Sequence, residues 1–194
     1  MRYLSPRTLT ADEQRALLAV TAPHPRDHLI VSLALGTGLR LSELVGLNVA
    51  DLFFPSGEPR IRIHVRPEIA KRGRVGDLFL PDALVPKARE FWAHKAAQRE
   101  SRAPDAPLLC SLSRRRISPR RVQMAIREWQ VKAGFGRLYP FHALRHSAVT
   151  NVYRASRDLF LAQRFARHAS PITTVIYTHP GDEELRERTR ALVC

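Results

Sequence analysis

At 194 residues, with 44% hydrophobic and 26% charged side chains, the chain has room for one domain of generous size with a real core. Its charge balance is unusual: 32 Lys and Arg against 18 Asp and Glu leave a formal +14 and a pI near 11.2, which points to a polyanionic partner. No apolar run approaches the roughly 18 residues of a spanning helix, MRYLSPRTLTADEQ is no signal peptide, and Cys110 and Cys194 offer neither a disulfide framework nor metal spacing. The expected location is therefore the cytoplasm, with no membrane partner.

Thr10, with Glu13 three residues on and Leu17, Leu18 and Val20 beyond, marks a helix start. A second helix is expected from about Arg26 to Leu35, apolar throughout and so buried. Gly36 and Gly38 then break it, and Ser42 and Glu43 lead an amphipathic segment bearing Leu41, Leu44, Val45 and Leu47, with Arg40 at the junction. From Leu52 the period changes. Arg60 to Val65 alternates polar with apolar residues, and Asp77 to Leu80 closes at Pro81, so the two runs predict a small antiparallel sheet. The turn between them carries Lys71, Arg72 and Arg74 around Gly73, either as charges that blunt an edge strand or as a basic finger reaching a phosphate.

Helical periodicity returns from about Asp82 to Arg99, burying Leu84, Val85, Ala88, Phe91 and Trp92. Between Cys110 and Lys132 stand six Arg and one Lys against a single Glu. Arg114, Arg115 and Arg116 fall in a loop. Ser118 and Pro119 then start a helix that carries Arg120 and Arg121 and runs to about Ala133. Loop arginines beside a helix N-terminus suit phosphate contact; the plainer reading is a solvated basic patch. After Tyr177 the chain passes a Pro-Gly stop and ends in a short charged helix with Leu185, Leu192 and Val193, packed on its own domain or offered to a neighbour.

The chemistry concentrates between Pro140 and Pro180. His142 and Arg145 stand three apart and share a helix face, His168 follows Arg145 by 23 residues, and Tyr177 comes nine later, after Thr173 and Thr174. Arg presents a fork that matches two phosphate oxygens, His exchanges a proton near neutrality, and a Tyr in reach is a candidate nucleophile. A core tyrosine is the bland alternative. His142 and His146 have the i, i+4 spacing of a zinc pair, but Ala143 stands where the Glu of that motif belongs, so no metal is expected.

In their order and spacing, GTGLRLSELVGLNVADL, HALRHSAVTNV and RHASPITTVIYTH resemble the three boxes of the tyrosine recombinases, the phage integrase family, over Thr10 to about Arg190. The resemblance implies an α+β, mainly α-helical catalytic domain with a small antiparallel sheet near residues 52–81. It implies Arg40 and Arg145 on the phosphate, Glu43 in support, His168 as a further donor, His142 helping to move the tyrosine proton, Lys71 as general acid and Tyr177 as nucleophile. A 3′-phosphotyrosyl link would then conserve bond energy, so no cofactor, metal or ATP is implied. The partner is double-stranded DNA, bound by a homo-oligomer (a tetramer) that is a monomer when free, with Arg72, Arg74, Arg114, Arg115, Arg116, Arg120 and Arg121 as DNA contacts.

Only Met1 to about Leu9 precede the catalytic region, so residues 1–194 are read as the catalytic domain without the helical DNA-gripping domain of the family, either as a fragment or as a minimal recombinase. The tail helix over 181–194 is either packed on its own domain or exchanged between protomers. Two departures stand out: Arg167 replaces the Gly that usually precedes the third-box His, and a polar-small pattern replaces the usual Asn-Gly before Asp158. A type IB topoisomerase, which relaxes one duplex, and a DNA-binding relative without chemistry are the alternatives.

Overall fold

The structure, a computed structural model, describes residues 7–70, 75–177, 186, 189 and 190. Helix α1, Ala11–Thr21, starts where its capping box dictates: the Glu13 N–H donates to Thr10 Oγ1 at 3.2 Å, and the Thr10 N–H donates to Glu13 Oε2 at 2.7 Å. Helix α2, Pro25–Thr37, is apolar on nearly every side and buried almost throughout, the pattern of a central helix. It packs against α1, α5 (Val85–Ala97) and α7 (His142–Ser156). It also outruns the expected break: Gly36 stays helical, and the chain turns only at Gly38, with φ 62° and its N–H bonded to Ala34 O at 3.1 Å.

Short helices α3, Leu41–Gly46, and α4, Val49–Leu52, lead into strand β1, Arg62–Val65, which pairs antiparallel with β2, Gly76–Phe79. Arg62 faces Phe79 and Val65 faces Gly76 in the register. Ile63, Val65 and Leu78 point into the core while Arg62, His64 and Phe79 face out, so the period-2 pattern sets the inner face. A 3-10 turn, Asp82–Leu84, precedes α5. Helix α6, Pro119–Lys132, begins at Ser118, whose hydroxyl accepts the Arg121 N–H at 3.1 Å. Among the described residues the fold is thus mainly helical with one small antiparallel sheet, as expected.

Helices α8, Leu159–Ala166, and α9, Ile172–Val175, have no counterpart among the expected elements. With α7 they enclose a small second core of Val149, Ala162, Ala166 and Tyr177, apart from the main core. The basic turn with Lys71, Arg72 and Arg74 lies outside the described residues, as does the tail 181–194 apart from residues 186, 189 and 190. Among the described residues, no helix is long and apolar enough to cross a membrane.

Candidate active site

Where α2 stops at Gly38, the chain runs through buried Leu39 to Arg40, whose extended backbone opens α3. A Cβ on Gly38 would come within 3.0 Å of the Phe165 ring, so the left-handed turn and the close approach of α8 both call for glycine. Glu43, in the first turn of α3, bends back: Oε2 accepts the Arg40 backbone N–H at 2.9 Å, and Oε1 accepts Arg40 Nη1 at 2.7 Å. Its side chain is fully buried. Burial alone would raise this carboxyl, but Arg167, the Arg40 backbone and the Arg40 guanidinium hold it below the usual carboxylate range. Glu43 is therefore an anion that fixes Arg40.

Helix α7 delivers three further groups. Arg145, only 1% exposed, donates to the Gly38 and Ala166 carbonyls and so ties the end of α2 to the end of α8. Burial, with Arg40 and Arg167 nearby, lowers its pKa to about 10, which still leaves a cation at neutral pH. One turn apart, His142 and His146 meet edge to face with ring centroids at 4.3 Å. His146 Nδ1 lies 2.5 Å from the Tyr177 hydroxyl. Burial, then His142 and Arg145, pushes the His146 pKa down to about 4, so the ring is neutral, and in the tautomer that carries its proton on Nε2 it accepts the phenol hydrogen at Nδ1.

Tyr177 itself is 7% exposed. Burial raises its pKa, while the charges of Arg145 and Arg40 pull the other way. His168 stacks beside it, with centroids 6.0 Å apart and planes 21° apart, and its Nδ1 lies 2.9 Å from Thr174 Oγ1. Burial, then Arg145 and Arg40, pushes its pKa to about 4 as well. In the tautomer whose Nδ1 accepts from the Thr174 hydroxyl, the neutral ring presents Nε2–H as a donor. Arg167, which caps the C-terminal end of α8, donates to Glu43 Oε2 at 2.5 Å. Beside it an open cleft of about 840 Å³ lies between β2 and α8, lined in part by Arg62, Gly76, Asp77, Phe160, Arg167 and His168.

Arg40, Glu43, Arg145, His168 and Tyr177 therefore converge. His142, expected to help move the tyrosine proton, stands one helical turn from His146, the imidazole whose Nδ1 lies 2.5 Å from the Tyr177 hydroxyl, and the two rings are in contact. The Arg116 guanidinium, on a residue that is itself exposed, donates to the Val45 and Leu47 carbonyls at 2.9 and 2.8 Å and to Asn48 Oδ1 at 2.6 Å, capping α3. Arg114, Arg115, Arg120 and Arg121 are exposed, and Arg121 pairs with Glu128 at 3.2 Å. Lys71, Arg72 and Arg74 lie outside the described residues. Sequence reasoning missed the roles of His146, Arg167 and Thr174. The one available signal was that His146 directly follows Arg145 and stands four residues after His142.

The sequence profile of the phage integrase family matches residues 7–184. Tyrosine recombinase XerC of Proteus mirabilis is 34% identical over 179 residues, covering 90% of this chain and 55% of that protein. Tyrosine recombinase XerA of Pyrococcus furiosus is 33% identical over 187 residues, covering 94% and 60%. This chain thus spans little more than half the length of the curated relatives it matches. Among solved structures, XerA recombinase matches with a TM-score of 0.78 at 27% identity, over 97% of this chain and 65% of that one. XerH, captured in a post-cleavage complex with a palindromic difH substrate, shares the fold with a TM-score of 0.77 at 22% identity, over 97% of this chain and 54% of its own. With a profile match across most of its length, the chain belongs to the phage integrase family, the tyrosine recombinases.

Proposed function

We propose that the chain is the catalytic domain of a site-specific DNA recombinase, which cuts one strand of a duplex by attack of Tyr177 and rejoins it by the reverse step. The observation that carries this reading is the Tyr177 hydroxyl held 2.5 Å from Nδ1 of neutral His146, beside Arg40 and Arg145. A buried phenol held on a base among cations is a poor core residue and a good nucleophile. The names of the curated relatives support the same reaction, and the XerH complex is a DNA complex of that protein.

In the forward step the Tyr177 oxygen bonds to the phosphorus as the bond to the 5′-oxygen breaks. The phenol proton passes to His146 Nδ1. Arg40, and those N–H groups of Arg145 that do not face carbonyls, neutralise the nonbridging oxygens, with His168 as a further donor. Lys71 would protonate the departing 5′-oxygen. A 5′-hydroxyl then attacks the phosphotyrosine, and the proton steps run backwards. The net charge supports double-stranded DNA as the partner. The same reading takes residues 1–194 as the catalytic domain, acting in the cytoplasm as a homo-oligomer on DNA, a tetramer, with residues 181–194 exchanged between protomers.

The test is incubation with a library of nicked suicide duplexes of random sequence, which lose the 5′-hydroxyl after cleavage. A denaturing gel should show a covalent protein–DNA adduct with the unsubstituted chain. Tyr177→Phe should bind DNA without forming it. No adduct from the unsubstituted chain, or one that survives in Tyr177→Phe, would refute the reading.

A further inference from the structure

Position 167 is costly in three independent ways. Arg167 has φ 51°, in the left-handed region where a side chain is strained and glycine is not. Its side chain is only 5% exposed, its stem packed under β2 so closely that a Cβ on Gly76 would come 2.9 Å from Arg167 Cδ. Among the described residues, its Nε and Nη1 are buried without a hydrogen-bond partner. A strained backbone, a buried charge and unsatisfied donors at one residue point from the outlier to a functional role.

What Arg167 does hold is Glu43. Its Nη2 takes Oε2 at 2.5 Å, the oxygen that also accepts the Arg40 backbone N–H, leaving Oε1 to grip the Arg40 guanidinium at 2.7 Å. Two guanidinium groups, Arg40 and Arg167, thus pair with one carboxylate, and the Arg145 guanidinium lies near enough to feel all three, a surplus of positive charge in a buried place. A phosphodiester carries one negative charge, and its five-coordinate transition state carries more, so such a surplus favours the transition state over the ground state.

We infer that Arg167 is a positioning residue of the phosphate site: it locks the Glu43 carboxylate that orients Arg40 and adds a third guanidinium charge to the site. The inference rests on the phosphodiester reading above. Two substitutions isolate it. Arg167→Gly gives the backbone the residue that its φ favours, and Arg167→Lys keeps the charge and a donor.

For Arg167→Gly the relief of the left-handed backbone offsets the loss of one partner of Glu43, which keeps Arg40, so the thermal midpoint should stay within about 5 °C of that of the unsubstituted chain, and the Kd for duplex DNA should change less than about threefold, because the side chain is buried. Single-turnover cleavage of saturating nicked duplex should slow by about 30-fold or more. Arg167→Lys should recover most of that loss. Millimolar orthovanadate, which mimics the five-coordinate phosphorus, should raise the thermal midpoint of the unsubstituted chain and fail to raise that of Arg167→Gly. Cleavage at the unsubstituted rate by Arg167→Gly, an undiminished vanadate shift in that variant, or a Lys variant no better than the Gly one would overturn the inference. So would a lack of vanadate stabilisation in the unsubstituted chain. A vanadate shift lost only in Arg167→Gly, in a chain that cuts no DNA, would defeat the strand-cleavage reading and leave Arg167 in place.

Discussion

His146 shows how one contact assigns a role that residue type alone does not. Its Nδ1 is 2.5 Å from the Tyr177 oxygen, and its pKa of about 4 keeps it free to accept a proton throughout the neutral range. His146→Gln should slow adduct formation by about 100-fold, the scale of a lost general base. Single-turnover rates of the unsubstituted chain should stay level from pH 8 down to about 6 and fall as pH approaches 4, where the base becomes protonated. A rate that rises on acidification would contradict that role. Stability follows the same sign. His146 and His168 have an ordinary value of 6.5 and a folded value of about 4, so between these the unfolded chain binds protons that the folded chain does not. The stability is present above about pH 6.5 and drains away as pH falls toward 4. Burial sets this first, followed by His142 and Arg145 for His146, and by Arg145, Arg40, His146 and Arg167 for His168. Arg40, Arg145 and Tyr177 were legible because their chemistry and spacing sit within short motifs. His146 and Arg167 were not, because their partners lie 31 and 124 residues away.

Elements were readable where their signals are local. The Thr10 capping box and the Ser118-Pro119 start were placed correctly because each helix end closes its own hydrogen bonds. The end of α2 was not, because Gly36 serves packing instead of turning: a Cβ there would come 3.0 Å from Leu84 Cδ1, so the missing side chain admits the 3-10 turn before α5. The loop arginines divide for a similar reason. Six-residue α3 carries Glu43 in its first turn and exposes the Val45 and Leu47 carbonyls at its end, and Arg116 closes both of them. Arg116→Ala should cost about 1–3 kcal/mol in urea unfolding, since it strips partners from the carbonyls at that helix end. Arg114→Ala should cost under about 0.5 kcal/mol. Equal losses would show that the Arg116 contacts do not support α3.

At the scale of the molecule, a main core built around α2 carries a smaller cluster of α7, α8 and α9 that holds Tyr177. Arg145 and the Glu43–Arg167 pair join the two, so the site exists only when both are folded. Composition disclosed the basic balance of the whole chain but not which arginines face outward. With exposed Arg114 and Arg115 changed to Ala, DNA affinity should fall alike for all sequences, and the slope of log K against log salt should drop by about 0.9 for each phosphate that is no longer neutralised. An unchanged slope would leave those side chains to solvent.

Strand cleavage by this site turns on which side chain is the nucleophile. Adduct formed on a nicked suicide duplex, digested with nuclease and trypsin, can be mapped by mass spectrometry to the residue that carries the nucleotide. The account predicts a 3′-phosphonucleotide on Tyr177, with His146→Gln giving the same linkage more slowly. A nucleotide on any other side chain, or an adduct that hydrolyses as a phosphoserine or phosphohistidine would, contradicts it.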